Sequence, residues 1–213
     1  MTPVSASDAG AAGSGGRRVG PYVVRRVDRA KFMTVARRFF DHFLKRPVRL
    51  SGRRSGVAGA SLALPYGMSR GPIVRTIEID AAPRAVWGAL TDADSMKRWM
   101  AHPDVGMDII TDWVVGAPIV VHGFHIVRFE NRGTVLAFDP PRLLRYSHLS
   151  SLSRLPDSIE SHAVFEFRLD PSDSRTALTV TVSNFPTEAI FKHLDFYWRG
   201  ALGAVKQFVE RTS

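Results

Sequence analysis

The chain has 213 residues, 45% of them apolar, no cysteine, and a formal net charge of +9. That apolar share suits one packed domain plus an appendage, and the lack of cysteine excludes disulfides, thiolate nucleophiles and thiolate metal sites. No run approaches the roughly 18 consecutive apolar residues of a membrane span, and the N-terminus lacks an apolar secretory segment, so a cytoplasmic protein without a transmembrane segment is expected.

The positive charge is unevenly placed. Residues 1–70 hold 14 Lys/Arg against Asp8, Asp28 and Asp41, whereas residues 71–213 hold 15 against 17 acidic residues. The basicity belongs to an N-terminal arm, so nucleic-acid binding by the rest of the chain gains no support from the overall charge and is not expected. Within the arm, the Gly, Ala and Ser of residues 1–27 predict disorder. Residues 28–46 place Phe32, Phe39 or Phe40, and Phe43 or Leu44 on one side of a basic amphipathic helix that Pro47 ends, and residues 47–70 read as a flexible linker. Three readings of this arm stay open: a stripe for the domain or a protein partner, a membrane-surface or targeting helix giving peripheral membrane association, and upstream sequence ahead of a true start at Met68.

A different pattern begins at residue 71. "PIVRTIEIDA" alternates and predicts a first strand ending at Ala81. Pro83 then opens a short helix whose Val86, Trp87 and Leu90 form an apolar patch, and Asp92 or Asp94 caps a second short helix through "SMKRWM". Strand-like segments follow between about 105 and 184, separated by Gly, Asn-Arg-Gly, Asp-Pro-Pro and Asp-Pro-Ser-Asp turns. Those connections are too short for helical crossovers, which predicts an antiparallel meander. In "HAVFEFRLD", Ala163, Phe165, Phe167 and Leu169 share one face, and Leu178, Val180 and Val182 share a face in the next strand. An apolar sheet face needs a cover. The last segment supplies it: apolar residues at 191, 194, 198, 202, 205 and 209 predict a helix from about Thr187 to Glu210, with Gly200, Gly203 and Ala204 allowing close approach. The expected class is α+β, a curved antiparallel sheet wrapped around a long C-terminal helix.

This order resembles the START-like, or SRPBCC, superfamily, and within it the family of activators of the heat-shock-protein-90 ATPase grouped with polyketide cyclase-like proteins. The residues that carry the likeness are "TIEIDAAPRAVWGALTDADSMKRWM", "GTVLAFDPPRLLRYSH" and "YWRGALGAVKQFVE", together about residues 73–211. The resemblance implies a helix-grip fold over residues 71–213 with an apolar cavity between sheet and helix. Relatives use it for hydrophobic ligands, for co-chaperone contact, or for cyclase and aromatase chemistry. Two departures stand out: Tyr197-Trp198-Arg199-Gly200 replaces the Gly-Trp pair of many bacterial relatives, and residues 1–70 match nothing in the family pattern.

No chemistry-bearing motif accompanies the likeness. His122 and His125 would lie on opposite faces of a regular strand, and His148, His162 and His193 are isolated in sequence, so no metal site is expected. Ser147, Ser150, Ser151 and Ser153 lack a Gly-x-Ser-x-Gly elbow, and the paired aspartates fall in turns, so no catalytic residue is named. The candidates for a ligand cavity are Trp99, Trp113, Phe124, Phe138, Tyr146, Phe165, His193 and Tyr197, with plain core packing as the competing explanation for each. The expected function is noncatalytic binding of a small hydrophobic or amphipathic molecule, with no cofactor. The alternatives are a protein-interaction or stress-associated accessory module and a polyketide cyclase-like or aromatase-like enzyme.

Overall fold

The computed structural model describes residues 71–101, 105–125 and 127–213; the arm expected at 1–27, 28–46 and 47–70 lies outside the described residues. Strand β1 (Ile73–Ile79) turns Ile73 and Ile79 into the core. Helix α1 (Pro83–Thr91) starts on Pro83, whose missing N–H is no loss at that position, and buries Val86, Trp87, Ala89 and Leu90. Asp92 ends α1 and begins α2 (Ala93–Met100), its carboxylate accepting from the Ser95 N–H at 2.8 Å. The Ser95 hydroxyl and this N–H together hold the Asp92 carboxyl below its ordinary range.

The sheet continues through β2 (Asp108–Ile110), β3 (Pro118–His125), β4 (Val127–Asp139), β5 (Leu143–Ser150), β6 (Ala163–Ser172) and β7 (Arg175–Ser183), and the chain closes with α3 (Glu188–Thr212). Seven strands lie in the order β1-β7-β6-β5-β4-β3-β2, and every neighbouring pair is antiparallel. Two short 3-10 turns, Ser151–Ser153 and Ile159–Ser161, carry the chain from β5 to β6.

One expected turn is absent. Asn131-Arg132-Gly133 lies inside β4, which pairs continuously with β3 from Val127 opposite His125 to Thr134 opposite Pro118. Gly133 is there for closeness to β5: a Cβ at that position would sit 1.7 Å from the Ser147 carbonyl oxygen. The Thr134 N–H is satisfied by the Ser147 hydroxyl at 2.9 Å, and the β4–β5 register shifts just beyond, between Val135 and Ala137. A bulge of this kind bends a strand and increases its twist. The Asp-Pro-Pro turn falls where expected, whereas β3 runs on through Gly123 to His125 and β6 through Asp170, Pro171 and Ser172, so that the β6–β7 hairpin turns at Asp173, which takes a positive φ of 51° between the paired Ser172 and Arg175.

The inner face is the apolar one. Phe165, Phe167 and Leu169 of β6 and Leu178, Val180 and Val182 of β7 are buried against Leu194, Trp198, Leu202, Val205 and Val209 of α3. Each large side chain so buried contributes about 1.5–3 kcal/mol, so the helix face is a main stabilising element of the domain. Polar contacts fix its placement. The Thr187 hydroxyl accepts from the Ile190 N–H at 3.2 Å and caps the start of the helix. Asp195 is ion-paired to Arg75 on the inner face of β1 and to Arg199 at 2.6 Å. At the far end Lys206 donates to the Glu78 carbonyl at 2.6 Å, and Glu210 accepts from the Asp80 N–H at 2.8 Å. Burial alone would raise the Asp195 and Glu210 carboxyls, but the hydrogen bonds from Arg199 and Arg75, and from Lys206 and Asp80, outweigh it and hold both below their ordinary values.

Candidate functional site

The two halves of α3 meet different surroundings. From Ala201 onward its apolar stripe is core, whereas residues 190–198 form one wall of a cavity of about 230 Å³. The facing wall is the sheet, through Ile119 and Val121 of β3, Phe129 and Asn131 of β4, Tyr146 and His148 of β5, and Phe165 of β6. Trp99 and Met100 at the end of α2 close one side, and Leu152, Ser153 and Ser161 from the β5–β6 connection line another. Local sequence explains the sheet wall. Gly123 lets the Phe129 ring fold over β3, since a Cβ there would lie 2.3 Å from the ring.

The wall is aromatic and ordered by ring contacts. The His148 ring stacks on Phe165 at 4.7 Å, Tyr146 meets Phe165 edge-on at 5.5 Å, and Trp198 presents its ring edge-on to Phe165 and Phe167 at 5.7 and 5.4 Å. Aromatic pairs favour such offset and edge geometries because ring faces are negative and ring edges positive.

Burial also decides the charge state. It pushes the His148 imidazole down to about 4, with His193 and His162 nearby adding to the effect, and it pushes His193 down to about 4 as well. Both rings are therefore neutral at pH 7. The Tyr146 and Tyr197 hydroxyls are pushed up by burial and stay protonated. Among the described lining residues the only permanent charge is Arg132, whose Nε donates to Glu130 at 3.0 Å and whose Nη1 lies 3.4 Å from Asp157. Two lining residues hold a buried polar atom without a hydrogen-bond partner among the described residues: Asn131 Oδ1 on the sheet and Trp198 Nε1 on the helix.

Five of the eight cavity candidates, Trp99, Tyr146, Phe165, His193 and Tyr197, are brought together on this wall. The other three are elsewhere. Trp113 donates its indole N–H to the Thr91 carbonyl at 2.7 Å and stacks on Phe138 at 5.8 Å, while Phe138 tilts against Trp87 at 5.2 Å, so this pair packs the α1 side of the core. Phe124 is 53% exposed, because alternation in β3 sends Ile119, Val121 and Gly123 inward and Phe124 outward. Sequence reasoning missed His148, although it stands two residues after Tyr146 in the same strand and so shares its face. It also missed Asn131, which lay in the supposed turn, and read Trp198 only as core.

The serines serve backbone hydrogen bonding in β5 and in the turn that follows it. Ser147 accepts from Thr134, Ser151 accepts from the Glu130 N–H at 2.9 Å, and Ser153 accepts from the Leu155 N–H at 3.2 Å. No group of three or more potential metal ligands occurs among the described residues. Chemically the site can enclose a ring, hydrogen-bond a polar substituent, and offer neutral imidazoles as proton acceptors beside protonated tyrosines.

A curved antiparallel sheet closed by one long helix, with a cavity under the first half of that helix, defines the helix-grip class. Residues 80–210 match the model of the family described as activator of Hsp90 ATPase homolog 1-like protein, and the chain belongs to that family. Among solved structures it is similar to a protein from Cytophaga hutchinsonii, with 29% identity and a TM-score of 0.57 over 68% of this chain and 97% of that one. It is also similar to the Aha1 dimer from Colwellia psychrerythraea, with 23% identity and a TM-score of 0.53 over 66% of this chain and 97% of that one. CalU16 from Micromonospora echinospora shows 22% identity and a TM-score of 0.51 over 68% of this chain and 80% of that one. A search of curated proteins returned no match.

Proposed function

We propose that the domain is a noncatalytic binding module for a small hydrophobic or amphipathic molecule held between the sheet and the first half of α3. The observation that carries this reading is the 230 Å³ opening, walled largely by aromatic rings, between the sheet and the first half of α3. Its volume corresponds to about seven or eight waters at liquid density. That is below the roughly 300 Å³ at which drug-sized pockets begin, so the occupant is a molecule of one or two rings and not a sterol or long acyl chain. Trp99, Tyr146, Phe165, His193 and Tyr197 are the contact residues.

The test is native mass spectrometry of the gently purified protein, followed by thermal-shift measurements with one- and two-ring aromatics. A ligand present at about 100 times its Kd adds about 2.7 kcal/mol of stability, a Tm rise of roughly 5 °C or more. No bound species and no shift from any compound would refute the reading.

A second reading, a protein-interaction accessory module, is favoured by the exposed apolar side chains Ile110, Val114 and Val115 beside edge strand β2 and by the description of the family. Exposed apolar groups on an edge are suited to a partner surface. Pull-down with the full chain and with a chain beginning at Met68 tests it: retention by both locates the interaction on the domain, retention by the full chain alone assigns it to the arm, and retention by neither removes this reading.

A further inference from the structure

We propose that Phe129, seated on Gly123, sets the upper size of the molecule that the cavity accepts and separates two-ring from three-ring ligands. This inference rests on the binding reading above and adds the residue that limits its ligand.

Gly123 and Phe129 are register partners on β3 and β4. Gly123 shares the inner face of β3 with Ile119 and Val121, so a side chain at 123 would rise from the sheet into the interior. The Phe129 ring occupies that space instead. An added Cβ would meet its Cε1 at 2.5 Å and its Cζ closer still, far inside the roughly 3.5–4.0 Å at which carbons attract. Glycine weakens a strand and often marks a close approach; here it seats a ring that lines the cavity.

The other aromatic rings of the wall are fixed by the main core. Tyr146 and Trp198 both meet Phe165 edge-on, at 5.5 and 5.7 Å, and the Trp99 indole donates to the Ala89 carbonyl at 2.7 Å. Phe129 packs on a separate cluster, Met96, Ile109 and Val121, alongside Met100 and Met107, and is half-buried. It is therefore the wall ring that can be removed or lifted without unlocking the main core.

Two substitutions move this wall in opposite directions. Phe129→Ala takes a ring out and extends the cavity toward that cluster. Gly123→Ala puts a methyl group under the ring and lifts it off the sheet into the cavity. The atoms that must give way are the far end of a side chain and not backbone, so the β3–β4 pairing is kept.

Equilibrium dialysis of the full chain at pH 7.5 with phenol, 2-naphthol and 9-phenanthrol, uncharged molecules of one, two and three rings, tests this. The protein is expected to bind 2-naphthol about tenfold or more tighter than 9-phenanthrol. Phe129→Ala is expected to bring the two within about threefold of each other, and Gly123→Ala to weaken 2-naphthol about tenfold relative to phenol. Where Phe129→Ala fails to fold, Phe129→Leu, which keeps an apolar side chain and removes the ring, supplies the same comparison. 9-Phenanthrol binding to the unaltered protein as tightly as 2-naphthol, or a ring preference unaltered by substitution at 129, would overturn Phe129 as the limit and leave the binding reading intact. Undiminished 2-naphthol binding by Gly123→Ala would overturn the seating of the ring on the glycine. Failure of all three compounds to bind up to their solubility would overturn the binding reading and this inference with it.

Discussion

His148 and His193 carry the clearest consequence of the site at the scale of single residues. Burial lowers both imidazoles from the ordinary 6.5 to about 4. In the unfolded chain these rings take up protons as the pH falls through about 6.5, whereas the folded protein resists protonation until about 4. The unfolded state therefore binds more protons in that interval, and stability is complete above pH 6.5 and lost as the pH falls toward 4. A lower Tm at pH 5 than at pH 7.5 is expected, and His148→Phe, which keeps a ring against Phe165, should reduce the drop by about half because one of two such groups is gone. The depressed carboxyls of Asp195 and Glu210 act in a lower window, below their ordinary 3.8 and 4.5, and do not confuse the comparison. An equal drop in the variant would show that His148 is not held neutral. His148 was legible in principle, since period-two alternation from Tyr146 puts it on the same wall. Asn131 was not, because Asn-Arg-Gly has the composition of a turn and only the partner strand reveals that the glycine serves a close backbone approach.

Elements divide into those with local punctuation and those set by their neighbours. Pro83, Asp92 and Thr187 mark helix starts through chemistry that acts within four residues, so the helices were readable to within one or two positions. Thr187→Ala should cost about 1 kcal/mol by removing the acceptor for the Ile190 N–H, and urea unfolding would measure it. Strand β4 depends instead on its partner. Gly133→Ala forces a methyl group onto the Ser147 carbonyl and should destabilise by about 3 kcal/mol or more, at the upper end of overpacking costs, because a backbone atom cannot swing aside as a side chain can. A change in Tm of less than about 2 °C for Gly133→Ala would contradict the close β4–β5 approach.

For the whole molecule, topology was legible because short connections between alternating segments admit little besides a meander, and because only one long apolar helix was present to cover it. The cavity was not legible. Whether an aromatic fills space or borders it depends on how far the first half of α3 stands from β3, β4 and β5, and no residue pattern encodes that gap. Trp113 and Phe138 illustrate the point: aromatic like Tyr146 and Phe165, they pack against each other under α1 and are not part of the cavity wall. We also expect the domain to be independent of the arm, since the described residues within 71–213 hold a hydrophobic core of their own. A chain beginning at Met68 should melt within about 2 °C of the full chain, and a fall of more than about 8 °C would contradict that.

Entry of a ligand between sheet and helix can be followed by methyl NMR of methionine-labelled full-length protein titrated with benzamide. Met100 and Met107 line the cavity, Met96 lies outside it in an adjoining cluster, and Met1, Met33 and Met68 belong to the arm. Saturable shifts of the Met100 and Met107 methyl signals are expected, with those of Met1, Met33 and Met68 staying fixed. Signals of Met100 and Met107 that do not move at saturating ligand, or movement confined to the arm, would contradict it.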